Sequence, residues 1–313
     1  MKILVTSTSF RETEEPLKLL EKEGYQIIFN ERGRPLNEDE LKEAVKGMDG
    51  VIAGVDKFTA SVIESADCLK VISRYGAGID NIDLKAAKSK GIVVTNTPGA
   101  NTEAVADLTL TFMLALSRNL VSAVISTREG KWGKFTGWSI ENRTLGILGL
   151  GKIGKSVARR AIKFSMKVIA YDLYKDENFA RENNIEFVSL EELFKKSDYI
   201  SLHLLLTEET KNIVNRKRLE LMKSTAFLIN TARGELIDED ALYEALFKKR
   251  IAGAAVDVFK KEPPIGNPLL TLENFLPTSH IAAHTKEAML NMGVWACENL
   301  IDALKGKKPK YIV

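Results

Sequence analysis

The chain has 313 residues, which is long enough for two domains of ordinary size with a core each. Hydrophobic residues make up 45% and charged residues 28%, the usual composition of a globular protein. The net charge of +3 is small and spread along the chain, so a nucleic-acid partner is not indicated, and Lys305–Lys310 is predicted to be a solvated tail. Cys68 and Cys297 are too few for a disulfide framework or a zinc cluster, and they favour a reducing, cytoplasmic location.

Short apolar runs alternate with amphipathic stretches over the first hundred residues, which is the pattern of βαβ units. The predicted strands are Ile3–Thr6, Gln26–Phe29, Gly50–Ala53, Lys70–Ser73 and Ile92–Thr95, and the predicted helices are Leu17–Glu23, Glu38–Val45 and Ser61–Ala66. The opening run, MKILVTSTSF, therefore indicates a buried strand rather than a signal peptide. No run approaches the ~18 apolar residues of a membrane-spanning helix, so no membrane partner is expected.

A second series of strand-length apolar runs begins after residue 140: RTLGILGL, KVIAYD, YISLHL, TAFLINT and IAGAAVDV. Two such series predict an α/β fold with two doubly wound parallel sheets. Long apolar helices are predicted at the two ends of the second series, Glu103–Ser117 and Thr285–Leu304. They suit a discontinuous arrangement in which the C-terminal segment returns to the first domain.

A glycine-rich loop follows the first strand of the second series, with Gly149, Gly151 and Gly154 spaced as G-x-G-x-x-G before a predicted helix. Such glycines allow a tight turn, an approach of the backbone to pyrophosphate and close helix packing, while the helix N-terminus attracts phosphates. The next strand ends in Asp172, 18 residues past Gly154. A carboxylate there accepts from ribose hydroxyls and repels a 2′-phosphate, so NAD is favoured over NADP. The alternative is a glycine-rich turn that binds nothing.

Polar residues follow two later strands. Arg233 comes directly after TAFLINT, where α/β folds collect ligand groups, and its planar guanidinium matches a carboxylate; a surface arginine is the alternative. Asp238 is predicted to cap the next helix. Asp257 lies inside an apolar strand and needs a partner, because an unpaired buried charge is costly. Glu262, just beyond that strand, is on this pattern either functional or an ordinary loop residue.

Two of the three histidines, His280 and His284, are four residues apart in TSHIAAHTKEA. Inside a helix such a pair could bind zinc, with Glu287 as a third ligand. His280, however, follows the predicted end of a strand and is expected to precede the helix, and the acidic residue of an HExxH motif is missing. A metal site is therefore disfavoured, and His284 is predicted to be structural.

Several stretches in this order resemble the D-isomer-specific 2-hydroxyacid dehydrogenase family over nearly the whole chain: RYGAGIDNID, NTPGANTEAVADL, LGILGLGKIG, LHLLLTEET, INTARGELID, AAVDVFKKEPP and SHIAAHTKEA. Within that family the chain is most similar to phosphoglycerate dehydrogenase-like members, enzymes of serine biosynthesis, in a short form without a C-terminal regulatory domain. The resemblance implies a Rossmann NAD-binding domain, residues 100–284, inserted into a flavodoxin-like substrate domain formed by residues 1–99 and 285–313.

The resemblance also implies a reaction, hydride transfer between NADH and a 2-oxo acid that yields a D-2-hydroxy acid. In such enzymes the residue matching Arg233 binds the substrate carboxylate and carbonyl. The residue matching His280 donates and accepts the proton, and it is paired with the one matching Glu262. A charged imidazole stabilises a developing alkoxide, and a neighbouring carboxylate favours the charged form.

Further site residues are implied by the resemblance alone. Backbone N–H groups of Ala77 and Gly78 would bind the substrate carboxylate, with contributions from Arg74 and Asn101. Besides the three glycines and Asp172, the cofactor-binding positions would be Lys152, Ile153, His203, Thr210, Thr231, Asp257, which would hold the nicotinamide carboxamide, and Ala283. For His203 a buried strand histidine without cofactor contact is an equal alternative. No metal is implied.

Family members usually form dimers through the NAD domain, where GKWGKFTGW (130–138) commonly contacts the partner subunit. A core or surface loop is the alternative for this stretch. The small-molecule partner would be a 2-oxo or 2-hydroxy acid, and a homodimer is expected.

Three positions depart from the family pattern. Ser279 stands where proline is usual, and Ala282 stands where glycine is usual. Ala53 takes the place of an arginine that holds the phosphate in phosphoglycerate enzymes, which leaves Lys57 as the nearby cation. The leading substrate is 3-phosphoglycerate. The alternatives are a hydroxypyruvate or glyoxylate reductase, a broad D-2-hydroxyacid dehydrogenase and, from another class, an NAD-sensing, corepressor-like binding protein.

Overall fold

The computed structural model describes all 313 residues and divides into two compact units. Unit 1 comprises Met1–Asn101 and Ala283–Val313, and unit 2 comprises Thr102–Ala282. The sequence-based borders, 99/100 and 284/285, make the inserted segment two residues longer at each end than it is in the structure.

Unit 1 contains a five-stranded parallel sheet in the order β2-β1-β3-β4-β5. Its strands are β1 Lys2–Val5, β2 Gln26–Phe29, β3 Gly50–Ala53, β4 Val71–Arg74 and β5 Val93–Thr95. Its helices are α1 Glu14–Lys22, α2 Glu38–Ala44, α3 Ala60–Ser65, α4 Leu84–Ser89 and, after unit 2, α12 Lys286–Leu304. This strand order is that of flavodoxin-like folds, in which ligands bind beyond the carboxyl ends of the strands at the β1/β3 switch point.

The long apolar helix α12 covers one face of this sheet. Cys297 and Leu300 pack with Ile3, Ile52 and Val71 in one buried cluster. The strand β3, GVIA, is buried along its whole length, which explains why it is a continuous apolar run rather than an alternating one. Burying α12 in this way ties the C-terminal segment to the first hundred residues.

Unit 2 contains a seven-stranded parallel sheet in the order β12-β11-β10-β9-β6-β7-β8. Its strands are β6 Thr144–Leu148, β7 Lys167–Tyr171, β8 Glu186–Phe187, β9 Tyr199–Leu202, β10 Phe227–Asn230, β11 Gly253–Val256 and β12 Phe275–Pro277. Its helices are α5 Thr102–Ser117, α6 Leu120–Arg128, α7 Lys152–Lys163, α8 Glu177–Glu182, α9 Leu190–Lys196, α10 Arg216–Leu221 and α11 Glu239–Phe247. If β6 is numbered as strand 1, the strands β6 to β11 have the Rossmann order 3-2-1-4-5-6, and β12 adds a seventh strand at the edge. The switch point lies between β6 and β9.

The prediction of two doubly wound parallel sheets is confirmed, and β2 and β3 occupy the predicted residues. Asp238 caps α11 as predicted, because its side chain accepts from Ala241 N at 3.2 Å. The prediction that Lys305–Lys310 is solvated is confirmed, since all of these residues except Pro309 are exposed, but the lysines at its two ends also make surface contacts. Lys305 pairs with Glu23 at 2.6 Å, and the Lys310 ammonium lies over the rings of Trp295 and Tyr311.

No single helix has the length and apolar character needed to cross a membrane. The consecutive helices α5 and α6, which are bent by 64° relative to each other, meet those two criteria only as a pair.

Candidate active site

The glycine-rich loop lies at the switch point of the unit 2 sheet, between the end of β6 and the start of α7. Gly149 has a φ of 95°, and a Cβ placed on it would lie 2.7 Å from the carbonyl carbon of His203, which follows β9. A Cβ on Gly154 would lie 2.1 Å from the carbonyl oxygen of Gly149. At Gly151, the N-cap of α7, a Cβ would meet nothing within 4 Å. Open space at a helix N-terminus fits a pyrophosphate group, with Lys152 and Ile153 in the first turn.

Asp172 follows β7 and connects the glycine-rich loop to the next turn. Its carboxylate accepts from Leu150 N at 2.7 Å and from Tyr174 N at 2.9 Å, one bond on each oxygen. Each oxygen of an ionised carboxylate can accept a second bond. The residue therefore fits ribose hydroxyls as additional donors.

The loop after β10 carries Arg233 and is shaped by a residue that sequence reasoning passed over. Asn230 accepts from Ala232 N at 3.0 Å and donates to the carbonyl oxygen of Arg233 at 2.8 Å. An asparagine at a strand end before a loop is a turn signal, and it could have been noticed as one. A Cβ on Gly234 would lie 2.0 Å from the Phe259 carbonyl carbon, so only glycine lets this loop approach the segment that carries Glu262.

His280 and Glu262 form a hydrogen-bonded pair in unit 2. The distance from His280 Nδ1 to Glu262 Oε2 is 2.8 Å, and the other carboxylate oxygen accepts from Phe259 N at 3.0 Å. Burial raises the pKa of Glu262, but the hydrogen bond and charge of His280, helped by the charge of Arg233, hold it below its ordinary value. An ionised carboxylate only accepts hydrogen bonds, so Nδ1 carries the proton and Nε2 is left for another partner.

Asp257 fixes the backbone that presents His280. Its buried carboxylate accepts from Thr278 Oγ1 at 2.6 Å, from Ile281 N at 2.8 Å and from Ala282 N at 2.8 Å. The expectation that this buried acid has partners is confirmed. Its carbonyl oxygen accepts from His280 N at 2.9 Å, and His280 has a left-handed φ of 57°. With three of four acceptor sites occupied, one site on Oδ2 is left for a carboxamide.

Three further predicted cofactor positions lie at the same sheet edge of unit 2 and make contacts inside it. His203 Nε2 is 2.8 Å from Ser201 Oγ, and Thr210 donates to the carbonyl oxygen of Leu205 at 2.7 Å. Thr231 is buried, with its hydroxyl 3.1 Å from that of Thr109 in α5. These bonds shape the loops after β9 and β10.

The predicted substrate positions other than Arg233 lie in unit 1. Arg74 ends β4 and is 8% exposed, and its guanidinium donates to the carbonyl oxygens of Tyr75 and, at 3.4 Å, Ala53. Ala77 and Gly78 follow in the loop after β4, and the side-chain oxygen of Asn101 is buried without a hydrogen-bond partner. Ala283, predicted to bind the cofactor, lies in unit 1 and packs against the cluster that includes Met289.

Neither histidine of the TSHIAAHTKEA stretch lies in a helix, because α12 begins at Lys286 with Thr285 as its N-cap. His280 is half-buried at the end of unit 2, and His284 is exposed in unit 1. The structure holds no group of three or more His, Cys, Asp or Glu side chains arranged to bind a metal ion. The i,i+4 helical pair considered as a zinc site therefore does not form.

Residues 110–282 match the model of the family described as "D-isomer specific 2-hydroxyacid dehydrogenase, NAD binding domain". This match covers more than half of the chain and includes the glycine-rich loop, Arg233, Glu262 and His280. The chain belongs to this family. Unit 2 is thus an NAD-binding Rossmann domain of an oxidoreductase family.

Two relatives illustrate the range of names within the family. D-3-phosphoglycerate dehydrogenase of Methanocaldococcus jannaschii is 43% identical over 317 aligned residues, covering 100% of this chain but 59% of that protein. Hydroxypyruvate reductase of Thermotoga maritima is 43% identical over 296 residues, covering 91% of this chain and 96% of that protein. The chain thus spans little more than half of the first relative and nearly all of the second.

A solved structure of D-lactate dehydrogenase from Aquifex aeolicus, complexed with NAD and lactic acid, has a TM-score of 0.85 and 31% sequence identity. The similarity covers 97% of this chain and 96% of that one. It agrees with the family match in both fold and cofactor.

We predict that His203 stays neutral at pH values where a free histidine is charged, because burial lowers its pKa to about 3. The unfolded chain takes up this proton near pH 6.5, so the folded state should lose stability as the pH falls from there towards 3. NMR titration of the imidazole signal that disappears in His203→Gln should show no midpoint above about pH 5. A midpoint near the free-histidine value would contradict this prediction.

Proposed function

We propose that the chain interconverts a D-2-hydroxy acid and its 2-oxo acid with NAD as the hydride carrier. The observation that carries the proposal is the cluster of Arg233, Glu262 and His280 in the NAD-binding unit. NADH supplies the hydride to the carbonyl carbon of the oxo acid. In that direction the substrate oxygen gains a proton from Nε2 of His280, which the Glu262 carboxylate keeps oriented through Nδ1. In the reverse direction the neutral Nε2 accepts the hydroxyl proton.

The remaining site residues are proposed to bind the substrate carboxylate and the dinucleotide, because of their charges and hydrogen-bonding groups. Arg233 offers a planar pair of donors to the substrate carboxylate and carbonyl, and the N–H groups of Ala77 and Gly78 offer two more to the carboxylate. Asn101 supplies the unpartnered side-chain oxygen noted above, which suits a hydroxyl donor on the substrate. The glycine-rich loop, Lys152, Ile153 and Asp172 hold the dinucleotide, and Asp257, His203, Thr210 and Thr231 shape the nicotinamide side.

We predict that His280→Ala lowers kcat by about 10²–10⁴-fold, the usual loss when a general acid is removed, while NADH binding stays near wild type. His284→Ala is the matched control because His284 is an exposed residue outside α12. Steady-state rates from NADH absorbance and NADH titration by fluorescence measure both effects. Equal losses in the two variants would refute the assignment. Tight NADH binding by the wild type without turnover of any oxo acid would favour an NAD-sensing binding protein instead.

For the substrate, 3-phosphoglycerate and 3-phosphohydroxypyruvate are the first candidates, which would make the chain an enzyme of serine biosynthesis. Support comes from the Methanocaldococcus relative, aligned over the whole chain, and from Lys57, an exposed cation just beyond β3. Hydroxypyruvate or glyoxylate is the second candidate. It is favoured by the near-complete coverage of the Thermotoga relative and by Asp56, a buried carboxylate beside Lys57 that would oppose a phosphate.

We predict that kcat/KM for 3-phosphohydroxypyruvate exceeds that for hydroxypyruvate by more than tenfold, about 1.4 kcal/mol, and that Lys57→Ala removes most of this preference. Lys85→Ala, which removes the same charge from the exposed surface of α4, should leave the preference unchanged. A ratio below tenfold in the wild type would eliminate phosphoglycerate and leave the second candidate.

We also propose a homodimer formed through unit 2. The helix α6 buries none of its residues and exposes Leu120, Val121, Val124 and Ile125, while Trp132 just beyond it is 84% exposed. An apolar surface of this extent on a globular protein usually marks an interface.

We also propose a reducing, cytoplasmic location, since Cys68 and Cys297 are both free thiols.

We predict a mass in solution of two 34.8-kDa chains and dissociation of this dimer by Ile125→Lys, because a charge would be buried at the interface. Phe247→Lys, at a 65% exposed site on α11, is the control and should leave the mass unchanged. Analytical ultracentrifugation distinguishes the outcomes. A monomeric wild type would refute the proposed dimer.

A further inference from the structure

The loop after β4 in unit 1 contains two backbone N–H groups, those of Ala77 and Gly78, that donate to no other group of the protein. The carbonyl groups of the same two peptides are both bonded. Thr97 N donates to the carbonyl oxygen of Gly76 at 3.0 Å, and Asn96 Nδ2 donates to that of Ala77 at 2.7 Å. A trans peptide is planar, with its N–H and C=O pointing in opposite directions. These two bonds therefore set the directions of the free N–H groups.

Two further residues, Thr97 and Met289, accept hydrogen bonds from the same loop. Gly76 N donates to Thr97 Oγ1 at 3.0 Å, so Thr97, which is fully buried, bonds both polar groups of Gly76. The Tyr75 hydroxyl donates to the Met289 carbonyl oxygen in α12 at 3.1 Å. The loop is thus attached both to the segment after β5 and to the C-terminal helix.

Asn96 is itself held by the C-terminal tail. Asn96 N donates to the carbonyl oxygen of Tyr311 at 3.3 Å, and Asn299 Nδ2 donates to the carbonyl oxygen of Asn96 at 3.1 Å. The oxygen of the Asn299 side chain accepts from Tyr311 N at 3.3 Å. One side chain that is 2% exposed therefore binds the backbone of both segments.

Residues 311–313 at the end of the tail lie along the edge of the sheet. Ile312 bridges Thr95 in antiparallel fashion, and Val313 N donates to the carbonyl oxygen of Val94 at 3.0 Å. The Tyr311 ring stacks on Trp295 with 5.2 Å between the ring centroids. These contacts give the residues around Asn96 a fixed support on the outer side of β5.

We propose that Asn96 and Asn299 are positioning residues that, together with the tail residue Tyr311, aim the N–H groups of Ala77 and Gly78 at the substrate carboxylate. The inference rests on the proposed function in one respect, namely that the bound anion is the carboxylate of the oxo acid. Two adjacent N–H groups with fixed directions make a good anion site, because no reorganisation is needed when the anion arrives. Asn299 acts only through Asn96 and the tail.

The carboxylate keeps its charge through the reaction, so weaker holding of it raises KM and leaves kcat nearly unchanged. Asn96→Ala should raise the KM for the oxo acid at least about tenfold, with kcat within about threefold and NADH affinity unchanged. Asn299→Asp has the same size and keeps the acceptor for Tyr311 N, but it loses the donor to Asn96. It should raise KM several-fold, and because its carboxylate would be buried beside the Asn96 carbonyl oxygen it should also lower the melting temperature while the protein stays folded at the assay temperature.

Asn274→Ala is the matched control. The Asn274 side chain donates to the carbonyl oxygens of Leu246 and Ala252 at 3.2 and 3.4 Å, and it precedes β12, at the amino end of the unit 2 sheet. The loss of these two hydrogen bonds from the side-chain amide should lower the melting temperature without changing the KM for the oxo acid. A KM rise of equal size in this variant, or an unchanged KM in both Asn96→Ala and Asn299→Asp, would overturn the proposal.

Hydrogen exchange of the peptide covering residues 74–80, measured without substrate, tests the structural step separately. Deuterium uptake there should be faster in Asn96→Ala and Asn299→Asp than in the wild type, while peptides of unit 2 stay unchanged. Unchanged uptake in both variants refutes the positioning role. If the wild type reduces no 2-oxo acid, the proposed function fails, whereas the exchange result still decides whether the tail supports this loop.

Discussion

The hydrogen bond between His280 Nδ1 and Glu262 Oε2 is the interaction on which the proposed chemistry depends. It determines which imidazole nitrogen carries the structural proton, and so which one is available to a ligand. The partly buried carboxylate is kept ionised by this bond and by the nearby charge of Arg233. Without Glu262 the half-buried imidazole of His280 would lose the acceptor that orients it, whereas without His280 the Glu262 carboxylate would keep its bond from Phe259 N.

The two parallel sheets explain why this pair has the neighbours it has. In unit 2 the glycine-rich loop, His203, Arg233 and Asp257 each follow a strand of one parallel sheet, and the carboxyl ends of parallel strands meet at a single edge. In unit 1 the loops after β3 and β4 share the corresponding edge of the other sheet. Residues scattered over the sequence are thus brought to one edge within each unit.

Local sequence patterns predicted those features that depend on neighbouring residues. The strand runs, the glycine spacing, Asp172 at the end of β7 and the Asp238 cap all follow from propensity or turn chemistry. The expectation that His280 precedes its helix came from the same kind of reasoning. The roles of Arg233, Glu262 and His280, by contrast, came from the family resemblance, because spacing alone left loop and surface alternatives open.

Interactions between distant segments could not be predicted in this way. Asn299 and Asn96 are 203 residues apart, and nothing in either local sequence indicates that one holds the other. The lysines of Lys305–Lys310 are exposed as expected, but nothing in the local sequence indicates that Lys310 lies over Trp295 or that Ile312 pairs with Thr95 at the edge of β5. The partners of Asp257 were expected to exist, but only the fold identified them as the residues around His280.

The binding of main-chain groups by Asp257 has a consequence for sequence drift within the family. Ile281 and Ala282 are held through their amides, which every residue except proline possesses, and Ala282 has no positive φ that would require glycine. From Thr278 to Ala282, Ser279 alone has an amide that donates to nothing in the protein, so a proline ring can replace it without loss of a bond. Proline and serine can therefore replace each other at position 279, and glycine and alanine at position 282. The acid at position 257 cannot be replaced so freely.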